Sequence, residues 1–126
     1  LKANMHKLRS MLAKRLRLNI NDEFGLQKCW NQEISIMSKN MQDTVNFLLT
    51  KCSIEDFFWL GEVFEDVAKK TKIQAFVECL HMKLATITEA EYDSQIFSTD
   101  FRQLGIGYAE YVRQLTDDIT CADGQL

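Results

Sequence analysis

The sequence predicts an all-α fold, a single-domain antiparallel helical bundle of about five to six helices. Three observations carry that reading. The chain of 126 residues has no proline and five glycines, whereas sheet sandwiches and barrels use both residues at their corners. Apolar residues make up 46% and charged residues 26%, the balance of a globular chain with a core. Those apolar residues recur three and four apart along most of the chain, the spacing of one helix face. At this length a single domain over residues 1–126 is expected.

Residues 1–18 hold a basic amphipathic helix, expected at the periphery of the bundle. Met5, Leu8, Leu12 and Leu16 line one side of it, and Lys2, Lys7, Arg9, Lys14, Arg15 and Arg17 the other. The stretch "NINDEFG" at 19–25 reads as a polar turn. A second helix is expected from about Leu26 to Lys39, with Leu26, Cys29, Trp30, Glu33, Ile34 and Met37 at helical spacing. Asn40, with Asp43 three residues on, has the form of an N-cap and opens a third helix to about Lys51. Ser53 followed by Asp56 starts a fourth, to about Lys70. Its acids come first and Lys69 and Lys70 last, the order the helix dipole favours. A fifth covers about Lys72 to Ala85, with Ile73, Phe76, Val77, Leu80 and Leu84 on one face. Residues 86–100 are the least periodic, with a short helix from Thr88 and a loop. The last helix is expected over about Thr99 to Ile119, broken or closely packed at Gly105 and Gly107.

The tools of catalysis are not apparent in the sequence. His6 and His81 stand far apart, and no HExxH, GxSxG, P-loop or GxGxxG pattern occurs. Glu78 and His81 have the Glu-x-x-His spacing of a di-metal carboxylate site, but no second copy accompanies them. The expectation is a protein that is not an enzyme, with no catalytic residue, metal, cofactor or small-molecule substrate. No apolar run approaches the ~20 residues that span a bilayer. No apolar core with a small-residue cleavage site opens the chain, so a cytoplasmic location is expected. Cys29, Cys52, Cys79 and Cys121 form no CxxC or Cys/His cluster. Two disulfides are open to them in a secreted protein, and free thiols are the favoured reading.

The net charge of −3 conceals an asymmetry. Residues 1–52 carry nine Lys/Arg against four acids, and residues 53–100 carry ten acids against four lysines. The basic first helix suggests one function class, a nucleic-acid or membrane-surface binding module. A sequence pI near 5.4 argues against it. The blander reading is a basic face that is solvated or docks on the protein's own acidic centre.

That acidic centre holds the most informative segment, "SIEDFFWLGEVFEDVA" at 53–68. Advanced as one continuous helix at 100° per residue, Phe57, Leu60, Phe64 and Val67, with Ile54, Gly61 and Ala68, form the core stripe. Phe58 and Trp59 fall outside it, flanking Glu55, Glu62 and Asp66. The rings either pack under neighbouring helices or anchor a partner, and the acids supply complementarity to a basic surface. Glu55, Phe58, Glu62, Glu65 and Asp66 are therefore the expected partner-binding residues. Lysine at Glu62 and Asp66 is expected to weaken such binding about tenfold or more without lowering thermal stability.

Residues 28–80 also resemble the helical immunity proteins of bacterial contact-dependent growth inhibition and related polymorphic toxin systems. The resemblance is carried by "CWNQEI" at 29–34, "WLGEVFEDVAKKT" at 59–71 and "FVECL" at 76–80, with "YAEYV" at 108–112 similar to the closing helix. Two features depart from that pattern: the basic first helix lies outside it, and Gly61 stands where it has a serine. The resemblance implies an antitoxin-like protein that binds the toxin domain of its own system and blocks it without catalysis. Such toxins are frequently nucleases, for which spaced carboxylates imitate a phosphate backbone.

Overall fold

A computed structural model describes residues 2–19 and 21–126, with the side chains of 2–4 and 100 outside the description. The Lys2 side chain of the basic face and Ile20 of the expected turn thus lie outside the described residues. The described residues form helices joined by short connections, with no strand among them: α1 Lys2–Arg17, α2 Glu23–Lys39, α3 Met41–Thr50, α4 Ile54–Leu60, a 3-10 turn Gly61–Val63, α5 Phe64–Thr71, α6 Gln74–Thr86, α7 Glu89–Gln95, α8 Thr99–Arg102 and α9 Tyr108–Asp123. None of these helices is long and apolar enough to cross a membrane.

Side-chain caps set most of the starts. Asn40 accepts the Asp43 N–H at 3.2 Å, Ser53 that of Asp56 at 3.1 Å and Thr88 that of Glu91 at 3.2 Å. Asp22 does the same for Gly25 at 2.9 Å, so α2 begins three residues before the expected Leu26 and absorbs half of the polar turn. Ser98 caps α8 at 3.1 Å. Between α5 and α6, Lys72 adopts the left-handed conformation, φ 56°, and its N–H closes on Ala68. The expected fifth helix therefore starts at Gln74, after Lys72.

The helix count exceeds five to six for two reasons. The expected single helix over 53–70 is interrupted by the 3-10 turn at Gly61–Val63. The expected last helix is split into α8 and α9, because Gly105 takes φ +65°. Three residues wound at about 120° instead of about 100° turn Glu62 by about 40° and everything after Val63 by about 60° relative to a continuous helix. Val63 and Phe64 are both fully buried in consequence, and Glu62 points toward α1 and α2.

The core gathers Met37, Phe47, Leu48, Phe57, Leu60, Phe64, Phe76, Leu80, Tyr111 and Leu115. Leu8 and Leu12 belong to the same cluster, so α1 packs into the bundle and is not peripheral to it. The antiparallel expectation fails for α9. Tyr111 Oη donates to the Ile54 carbonyl, Asp118 lies against Gly61, and Gln125 Nε2 donates to Glu65. These contacts advance together, so α9 runs alongside α4 and α5 in their own direction. Phe58 stacks on Tyr111, with ring centroids 5.6 Å apart, and meets Phe101 edge-on at 5.2 Å. It is thereby held under neighbouring elements.

Candidate functional site

The 3-10 turn delivers Glu62 to a junction of three helices. Arg15 of α1 grips its carboxylate in bidentate fashion, Nε at 2.8 Å and Nη2 at 2.6 Å. Trp30 Nε1 of α2 donates to the same group at 3.1 Å. The Arg15 guanidinium also lies over the Trp59 ring, 5.1 Å from its centroid. The bond to Glu62 raises the Arg15 pKa further above its ordinary value. The basic helix thus docks on the protein's acidic centre, one of the two outcomes its charge pattern left open. Arg9 turns inward likewise, donating to the Lys51 carbonyl at 3.1 Å and lying over Phe47.

Behind this ion pair sits Glu33, fully buried on α2. Neither carboxyl oxygen has a hydrogen-bond partner among the described residues. Burial raises its pKa to about 8, the charge of Glu62 adds to the rise, and Arg15 partly opposes it. At neutral pH it is therefore mostly a neutral acid. Its place between Cys29 and Met37 on the buried face of α2 was visible in the spacing, but its partners were not.

In front of the ion pair a cleft of about 340 Å³ opens to solvent. Phe58 and Trp59 of α4 and Leu104 and Ile106 of the loop after α8 make its apolar walls, and Glu62, Gln114 and Asp118 its polar ones. Asp118 is half-buried, and its carboxylate has no hydrogen-bond partner among the described residues. Loss of water raises its pKa to about 6, with contributions from Asp117 and Glu62. Gly61 gives it room, since a Cβ there would run into Asp118 Oδ2.

The five residues expected to bind a partner do not share one face. Glu55 accepts the backbone N–H groups of Phe97 and Ser98 at 2.7 and 3.1 Å, holding the start of α8. Phe58 belongs to the aromatic cluster and shows one edge to the cleft. Glu62 holds Arg15 and Trp30, which corrects the expectation that a lysine there would leave stability untouched. Glu65 is exposed and accepts from Gln125 at 3.0 Å, and Asp66 is exposed. Arg15, Trp30, Glu33, Gln114 and Asp118 were not among the expected site residues. Arg15 and Glu62 are 47 positions apart, a separation no local pattern reports.

Elsewhere, His81 Nε2 lies 2.8 Å from Asp123 in an exposed pair. Cys29, Cys52, Cys79 and Cys121 are free thiols, the first three buried. Burial pushes Cys52 up to about 12 and Cys79 to about 11, which makes both poor nucleophiles. No group of three or more His, Cys, Asp or Glu side chains is placed to hold a metal ion among the described residues. No protein-family model, curated protein or solved structure matches this chain.

Proposed function

We propose that the protein is an immunity protein of the cytoplasm that binds a cognate toxin domain, of basic nuclease type, and neutralises it by steric and electrostatic occlusion. One observation supports this reading above the others. The same-direction packing of α9 on α4 and α5 sets the exposed Glu65 and Asp66 beside the helix that carries Asp117 and Asp118, next to a cleft with an aromatic wall. Charge speeds the encounter and a buried anchor holds the complex. The alternative, a nucleic-acid or membrane-surface module acting through α1, has less support. Arg15 is held by Glu62 and the exposed Arg9 is engaged by the Lys51 carbonyl, so Lys7, Lys14 and Arg17 are the exposed cations of the described helix that no such contact holds.

Calorimetric titration with the toxin domain encoded immediately upstream tests the reading. The expected result is a dissociation constant of about nanomolar order that weakens with added salt. The double variant Glu65→Lys/Asp66→Lys should weaken binding about tenfold or more at a nearly unchanged melting temperature, because both carboxylates are exposed and only the surface hydrogen bond from Gln125 to Glu65 is lost. Absence of binding to that domain would overturn the reading.

A further inference from the structure

We propose that the cleft between α4, the loop after α8 and α9 receives an arginine side chain presented by a protein partner. This rests on the reading of the protein as a toxin binder and names the group that the site takes from its partner. The cleft has the two halves such a side chain needs. Phe58, Trp59, Leu104 and Ile106 offer apolar surface to the methylene stem, and Leu104 is 41% exposed with nothing else covering it among the described residues. At the polar end stand acceptors. Asp118 carries no hydrogen bond, and Gln114 gives its amide N–H to Glu110 at 3.0 Å, which leaves its oxygen to accept. Glu62 adds the one lone pair, on Oε2, that Arg15 and Trp30 leave unused.

The occupant is cationic because the cleft is short of positive charge. Arg15 compensates Glu62 and Arg113 pairs with Asp117 at 3.1 Å, but Asp118 lies outside both grips and resists ionisation while it stays unpaired. The occupant is a guanidinium because the acceptors are several and set apart, and because the walls are aromatic. A planar five-donor group satisfies both conditions, whereas an ammonium is a compact point charge. The protein already uses this solution on the inner side of the same residues, where Arg15 pairs with Glu62 and lies over Trp59. The partner's arginine would repeat it from outside.

The test is an NMR titration of the full chain with N-acetyl-arginine-methylamide, read at the Trp59 indole and the Gln114 side-chain amide. Its neutral citrulline analogue and the lysine analogue serve as controls. Saturable shifts with a dissociation constant of about 1–10 mM are expected, the scale reachable by so small a ligand. Both controls should bind at least about fivefold more weakly, and Asp118→Asn should weaken the arginine probe as much. Ionised Asp118 is the binding form, so affinity should fall between about pH 7.5 and about pH 5. No saturable response at either group, or equal responses to the citrulline or lysine analogue or in Asp118→Asn, would overturn the proposal. The toxin titration separates it from the broader reading. A toxin that binds wild type and Asp118→Asn equally removes the arginine site and leaves the inhibitor. A positive arginine probe without toxin binding supports the site and removes the inhibitor.

Discussion

Glu33 and Asp118 stand on opposite sides of one ion pair and meet different fates. Both are carboxyls whose charged form is penalised by lost water, and neither has a hydrogen-bond partner among the described residues. Glu33 is sealed between α1, α2 and the 3-10 turn, where nothing from outside can reach it. Asp118 faces a cleft wide enough for a side chain. The same deficit is thus a standing cost to the fold on the inner side, whereas on the outer side solvent reaches the carboxylate through the cleft. Access to solvent, more than the identity of the residue, separates a structural liability from a recognition element.

Three substitutions sharpen or break this comparison. The largest effect is expected from Arg15→Met. It strips Glu62 of its cation, and both groups of the pair are mostly withdrawn from solvent, with side chains 14% and 28% exposed. A loss of about 2 kcal/mol in denaturant unfolding is expected, less than for a wholly buried pair. An unchanged midpoint would mean that Arg15 is merely laid on the surface.

Next comes Glu33→Gln, with an effect of similar size and opposite sign. The Glu33 pKa is raised on folding, so the native state holds the proton more tightly than the unfolded chain. Stability is then undiminished by this group below about pH 4.5, falls as pH rises, and levels off above about pH 8. The amide removes that slope. At about pH 8 the variant should be more stable by about 2 kcal/mol, the ionisation penalty being partly offset by the cost of a buried unpaired amide. Parallel pH profiles for wild type and variant would show that Glu33 finds a partner in solution.

The smallest effect on stability belongs to Asp118→Asn. Its pKa is also raised, to about 6, so its contribution likewise falls as pH rises from about 4 through about 6. Solvent screens a half-exposed group, and the gain above that range should stay under about 1 kcal/mol. A gain as large as that of Glu33→Gln would make the two sites alike and erase the distinction.

How far the sequence foretold these regions depends on the range of the interactions. The caps at Asn40 and Ser53, and the start of a short helix at Thr88, were legible because each is settled within four residues. The 3-10 turn at Gly61–Val63 was not. It differs from an α-helical turn only in which carbonyl each N–H reaches, and Glu62 and Val63 favour neither state strongly. Projecting the segment as one helix therefore placed Glu62 with Glu55 and Asp66, when the turn aims it at Arg15. The direction of α9 was hidden for a related reason, since short connections constrain only neighbours in sequence. Phe58 and Trp59 could be read both as buried rings and as partner anchors. Phe58 proves to be chiefly the former, stacked on Tyr111, while an edge of each ring lines the cleft.

The return of α9 alongside α4 and α5 has a kinetic consequence. Residues 74–107 must first be laid down as an excursion before Tyr111 can reach the Ile54 carbonyl, 57 positions earlier. Closing so long a loop costs entropy before any contact repays it, and such closures are the slow steps of folding. The cleft draws one wall from α4 and another from α9, so it cannot exist until that step is complete. A partner that recognises the cleft therefore recognises only finished molecules, and the topology itself acts as proofreading.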